Sequence, residues 1–367
     1  MNTKPASLFD HHLLSGDCRW LYDVAATRLE DALAAATYTS AGKRKQYPFH
    51  INYSPGRHLD AAAWHIDPIG CNITIFSSTP VLILMACMQF AGSCDRLTAM
   101  PISENNQLVV QRKKIRFRTL LDHPVGSEAD LTSILDPFFA ARRTNTALGF
   151  FLCEIALKFV SMHECMHVIL GHTGYIGKHY GARNFPEFSR EKAETIQPLF
   201  SQMLEFIADR HTVRGLLVRM LHGDIGELHK ENLLKEITIP EPLYLLRCLV
   251  HACTVLFHLF PGNRRSIFTR NKSHPHPYIR MRWICNELMT ELDEREIAVD
   301  AYEPLQAMLW AAIHLGTNFR SDGNWIQALQ QDSGVDGAVY SDEWYREIMS
   351  EAREWQQMML TEYGPQY

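Results

Sequence analysis

The sequence predicts an α+β fold, mostly α, with a small sheet and surrounding helices. Three observations predict it. From Thr144 onward, apolar residues recur at helical spacing in a series of separate segments. Proline and glycine punctuate those segments where helices start and stop. Strand character is confined to short stretches of the first 121 residues. The composition agrees: of 367 residues, 46% are hydrophobic and 21% charged, which is ordinary for a globular chain that buries a core.

Taken in order, the first element is an amphipathic helix near Trp20–Ala35, ending at a basic Gly42-Lys43-Arg44-Lys45 turn. Two strands follow, Phe49–Tyr53 and Asn72–Phe76. The second runs into Ser77-Ser78-Thr79-Pro80, a capping residue with proline at the first helical position, so a helix begins there. Residues 107–121 alternate loosely and suggest a strand pair. Thr144 or Asn145 caps a helix that runs to about Gly171, with Met162, Cys165, Met166 and Ile169 as its core stripe. The glycine- and charge-rich stretch Gly174–Glu194 reads as a loop. Helices are then expected at Pro198–Leu221, Pro242–Phe260, Tyr278–Leu292, Pro304–Leu315 and Asp342–Thr361.

Several function classes lose support at this level. The net charge of −5 gives no strong nucleic-acid signal and no general attraction to anionic membranes. The basic stretch Arg112-Lys113-Lys114-Ile115-Arg116-Phe117-Arg118 leaves a nucleic-acid-binding module as an alternative, but a solvated strand face explains it as well. Nine scattered cysteines without a CxxC pair read as reduced thiols in a cytoplasmic protein. The N-terminus carries no signal-peptide pattern. Val81–Ala91 is too short to span a bilayer, while Ala147–Val160 and Leu243–Phe260 carry charged or histidine side chains, so all three read as core helices. Phosphate-loop, dinucleotide and nucleophile-elbow motifs are absent.

The chemistry-bearing motif is His163-Glu164-Cys165-Met166-His167. Residues four apart share a helix face, so the two imidazoles can hold one metal ion, with Glu164 beside them to handle a water. Apolar neighbours such as Phe159, Val160, Val168 and Ile169 imply burial, and buried imidazoles need partners. A third ligand must come from elsewhere. Leu204-Glu205-Phe206-Ile207-Ala208-Asp209 supplies Glu205 as ligand, and Asp209 on the same face can accept a hydrogen bond from a ligand histidine. A solvated helix face is the alternative for these acids.

HExxH followed by ExxAD resembles the gluzincin metallopeptidases, in particular the HtpX and CAAX-prenyl-protease group. The segment Ser273-His274-Pro275-His276-Pro277-Tyr278-Ile279-Arg280-Met281-Arg282 resembles that group's histidine-proline-arginine element, in two registers: His274 with Arg280, or His276 with Arg282. The resemblance covers roughly Thr144–Leu288. It implies a zincin-like catalytic core over residues 141–300, a Zn2+ cofactor and a protein or peptide substrate. Residues 1–140 would then contribute the sheet and the substrate cleft, and residues 301–367 a helical extension. The group consists of membrane proteins, whereas this chain has no clear membrane span. A soluble Lit-type phage-exclusion peptidase is a second comparison, resting on size and the bare motif.

The expected function is hydrolysis of peptide bonds by a zinc-dependent endopeptidase. Glu164 is the general base, and His274, His276, Tyr278, Arg280 and Arg282 are candidates to stabilise the oxyanion. Substrate would lie extended along the Asn72–Phe76 strand as a sheet edge. A metzincin pattern fails because Leu170 and Thr173 stand where glycine and histidine are required, and His172 reads as a helix-end cap or an outer partner of the site. His211 should turn away from Glu205, and His251 and His258 read as core histidines. The alternative class is a zinc-binding regulatory or interaction protein without catalysis.

Overall fold

The structure is a computed structural model that describes residues 9–26, 49–57, 59–66, 70–93, 115–116, 121, 124–139, 146–180, 184–186, 197–225, 239–260, 270, 274–320 and 335–363. It is mostly helical with a small sheet. After α1 (Gly16–Ala26) come β1 (Phe49–Ser54), β2 (Ala61–Ile66) and β3 (Gly70–Phe76), then α2 (Ser78–Ser93). A short β4 (Ile115–Arg116) precedes α3 (Glu128–Phe139), α4 (Thr146–Ile169), α5 (His172–Tyr180) and β5 (Asn184–Pro186). The rest is α6 (Pro198–Leu221), α7 (Glu241–Leu259), α8 (Pro277–Glu294), α9 (Glu303–Asn318), β6 (Phe319–Arg320) and α10 (Val335–Tyr363). The basic turn at residues 42–45 lies outside the described residues, as does the end of the N-terminal helix beyond Ala26.

The main sheet has the order β1-β3-β2-β5, with β1 parallel to β3 and the other pairs antiparallel. β3 therefore lies inside the sheet, paired on both sides, and the expectation that Asn72–Phe76 forms an edge is corrected. Its backbone donors and acceptors already serve β1 and β2, so it has none to offer a peptide. The edges are β1, bridged to Phe9 by a 2.9 Å bond to the Tyr53 carbonyl, and β5. β4 pairs with β6 in a separate two-stranded ladder, so the described part of 107–121 finds its partner some 200 residues later rather than within itself.

Turns set where the key helices sit. Gly56 passes so close to the Phe76 ring that a Cβ there would come within 2.5 Å of it, so only glycine fits this turn. The Ser77-Ser78-Thr79 stretch, expected to supply one capping residue, ties the β3–α2 junction to neighbouring loops: Ser77 Oγ donates to the Val125 carbonyl at 2.8 Å and Thr79 Oγ1 to that of Asp60 at 3.0 Å. The stretch expected as a loop at Gly174–Glu194 contains α5 and β5. Gly171, at φ +80°, ends α4 and reverses the chain at once into α5. That short helix is held by tertiary packing, because Tyr175 is surrounded by Phe200, Trp355 and Tyr363 at ring-centroid distances of 5.1–5.8 Å. Propensity gave little sign of it.

α4 is the central element. It packs against α2, α6, α7, α1 and the sheet, and most of its residues are buried. Two helices, Thr146–Ile169 and Glu241–Leu259, are long and apolar enough to cross a membrane, but 78% and 89% of their most apolar windows are buried inside the fold. That is the behaviour of core helices.

Candidate metal centre

α4 and α6 cross with His163, His167 and Glu205 facing one another. The Nε2 atoms of the two histidines are 3.0 Å apart. Glu205 Oε2 lies 3.4 Å from His163 Nε2, and its Oε1 lies 3.6 Å from His167 Nε2. All three side chains are buried. Nitrogen and oxygen donors placed tetrahedrally around zinc at roughly 2.0–2.1 Å are separated from one another by about 3.3 Å. A triangle with edges of 3.0–3.6 Å therefore suits one small divalent ion.

The donor set supports the same conclusion. Both Glu205 carboxylate oxygens are out of reach of water, and the group is buried between the Arg280 guanidinium at 3.2 Å and the ring nitrogens of His163 and His167. Arg280 offsets part of the cost of that buried charge, and a cation between the carboxylate and the two ring nitrogens would offset more. The buried His163–His167–Glu205 group can thus hold a metal ion. Burial would push the Glu205 carboxyl up, but Arg280 and then His274 outweigh it and hold the group well below the usual carboxylate range. Burial, reinforced by His163, keeps His167 far below the ordinary imidazole range, in the neutral form that ligates metals.

The surrounding residues fix these three. Asp209, one turn beyond Glu205, places Oδ1 2.9 Å from His163 Nδ1. Arg280 binds Asp209 in a two-pronged arrangement, both contacts at 2.8 Å, and approaches Glu205 at 3.2 Å. Its guanidinium also lies over the Phe257 ring at 4.7 Å. The fork of Arg280 is therefore engaged in bracing two carboxylates from behind, and the expectation that it faces a developing oxyanion gives way to a bracing position. Glu164, beside His163 on α4, is fully buried.

The two-register ambiguity resolves on α8. His276 is its N-cap: Nδ1 accepts from the Tyr278 amide at 3.1 Å, and burial pushes the imidazole down to about 4. That duty engages His276 Nδ1 at the helix terminus, so of the two histidines it is His274 that is found beside Glu205. Arg282 reaches Asp342 at the surface, 3.4 Å away. His274 instead faces the site, with Nδ1 3.7 Å from Glu205 Oε1. Its side chain is 28% exposed, whereas those of His163, His167, Glu205 and Arg280 are buried. Pro277 held the signal for this choice, because proline at the first helical position makes the preceding residue the cap.

Two contacts were not expected from the sequence, and a third, that of His172, falls on a residue read there as a helix-end cap or an outer partner of the site. The Phe159 ring stacks on His163 with centroids 6.0 Å apart. Gln202, one turn before Glu205, donates to the Arg270 carbonyl at 2.9 Å and so ties the segment leading to His274 onto α6. His172 Nδ1 lies 2.9 Å from His167 Nδ1. The other histidines weighed from the sequence sit elsewhere: His211 contacts Gln356 at 2.6 Å, and His251 and His258 are buried in α7. The chain matches no protein-family model, no curated protein and no solved structure.

Proposed function

We propose that the chain is a zinc-dependent endopeptidase of gluzincin type that hydrolyses peptide bonds of a protein substrate. One observation carries the reading. An HExxH helix and a glutamate 38 residues beyond its second histidine converge on a single buried point, at distances suited to a small divalent ion. The HtpX and CAAX-prenyl-protease group is the resemblance the motifs support, and the closeness of His274 and Arg280 to Glu205 adds to it.

Zinc bound to such a set supplies Lewis acidity, which makes a water nucleophilic near neutral pH and polarises a carbonyl. Glu164 would take the proton from that water and hand it to the leaving amine. His274, partly exposed, would donate a hydrogen bond to the oxygen that gains charge. Asp209 and Arg280 would keep His163 oriented. β5, whose outer edge is unpaired among the described residues, is where an extended peptide would add.

Metal analysis and a general proteolysis assay on an unfolded protein such as casein test the reading. The wild type should carry one zinc per chain and cleave. Glu164→Gln should keep the zinc and lose activity by about 10²–10⁴-fold. Turnover retained in that variant removes the base, and undiminished zinc in Glu205→Ala moves the third ligand elsewhere. The near-complete burial of the three ligands favours a second reading, a metal-holding regulatory protein without turnover. Zinc-loaded wild-type protein that is inert, and indistinguishable from Glu164→Gln, would select it.

A further inference from the structure

We infer that His172 is a positioning residue of the metal centre, holding His167 in the tautomer and ring orientation that a metal requires; this rests on the metal-binding part of the reading above. His167 points Nε2 at His163 and Glu205, so for that nitrogen to ligate it must be free of its proton. The proton then sits on Nδ1 and needs an acceptor. His172 Nδ1 lies at hydrogen-bond distance from His167 Nδ1, 2.9 Å away. His167 therefore donates and His172 accepts, which places the proton of His172 on its own Nε2. That atom is buried and has no hydrogen-bond partner among the described residues.

The backbone makes the contact possible. Gly171 ends α4 in the left-handed region, and the first residue of α5 folds back onto the last turn of α4. His172 is itself fully buried, and the Tyr175 packing that anchors α5 holds it in place. The two ligand histidines thus have unlike supports. His163 faces the carboxylate of Asp209, while His167 faces a neutral ring. A neutral acceptor fixes orientation without adding a further carboxylate to a site that already holds Glu205, Asp209 and the neighbouring Glu164.

The test uses the full chain, stripped of metal and titrated with Zn2+ alone against a chromophoric chelator. Three variants separate acceptor position from packing. The Oδ1 atom in His172→Asn occupies nearly the place of the imidazole Nδ1, whereas in His172→Gln the acceptor moves out to the place of Nε2. His172→Leu has no acceptor. Removing an outer partner of a ligand histidine weakens metal binding by about 10–100-fold. His172→Leu and His172→Gln should show that loss, and His172→Asn should remain within about threefold of wild type. The visible bands of the Co2+-loaded protein should shift in His172→Leu and His172→Gln and stay in place in His172→Asn. If His172→Leu does not fold, the two amide variants carry the comparison. Equal Zn2+ affinity in all four proteins, or equal loss in all three variants, overturns the role of His172 while leaving the metal centre standing. A wild-type chain that takes up no Zn2+ overturns both.

Discussion

Arg280 concentrates the electrostatics of the site in one side chain. It is buried, it grips Asp209 through two contacts and it neighbours Glu205, so the fold holds two carboxylates and one guanidinium together in a place closed to solvent. Removing one partner from a buried set costs far more than the set contributes, because the remaining charges keep their desolvation penalty. Arg280→Met should therefore destabilise the metal-free chain by about 3–5 kcal/mol, measured by urea unfolding, and zinc should recover part of the loss by compensating Glu205. A variant as stable as wild type would mean that the carboxylates shed their charge instead. At this scale, the sequence revealed what depends on neighbours along the chain. The four-residue spacing of His163 and His167 fixes their shared face, and Pro277 assigns His276 to the cap. It could not reveal that the guanidinium of Arg280 points at α6, since that depends on how α8 crosses α6.

Between elements, the α7–α9 contact holds an acid-sensitive group. His251 on α7 lies among Phe90, Trp310 and His314, with ring centroids 5.6 and 5.3 Å from the first two. Burial, then Arg247 and His314, lower its imidazole to about 3. Arg247 is paired with Glu303, so the charged groups facing His251 are that ion pair and His314. The unfolded chain takes up the His251 proton below about pH 6.5 and the folded chain does so only near 3. The associated stability is therefore complete above pH 6.5 and drains as pH falls through that window, by about 1.4 kcal/mol per unit. His251→Phe should make unfolding free energy less steep in pH between 6 and 4 by about one proton, in urea titrations across that range; an unchanged slope would place the buried charge elsewhere. Elements were legible to different degrees for physical reasons. α6 was read with its observed limits because Pro198 opens it and the chain turns at Gly223 beyond it, both local signals. β2 (AAAWHI) contradicts its own propensity, α3 carries a local start signal in Ser127, whose Oγ accepts from the Asp130 amide at 3.3 Å, but holds Pro137 near its end, and α5 is too short to persist without the half-buried Tyr175 packed against rings from α6 and α10.

Over the whole molecule, one continuous apolar core runs from Phe9 to Met359, and the two ligand-bearing helices lie within it. The expected division into residues 1–140, 141–300 and 301–367 crosses this core: α1 and α2 pack on α4, and α10 packs on α5 and α6. A metal held between α4 and α6 is thus coupled to packing at both ends of the chain. Losing the structure around any one ligand exposes surface shared with the rest, so the site and the core should melt together. Zinc binding the folded chain alone stabilises it by RT ln(1 + [L]/Kd), about 4 kcal/mol at a thousandfold excess over Kd. For a chain of this size that corresponds to a rise in Tm of about 5 °C. Calorimetry should show a single transition moving upward with zinc, and Glu205→Ala should melt near the metal-free temperature whether or not zinc is added. Two transitions, only one of them responding to zinc, would mean that the centre belongs to a separately folding unit and that the core seen as continuous is energetically divided.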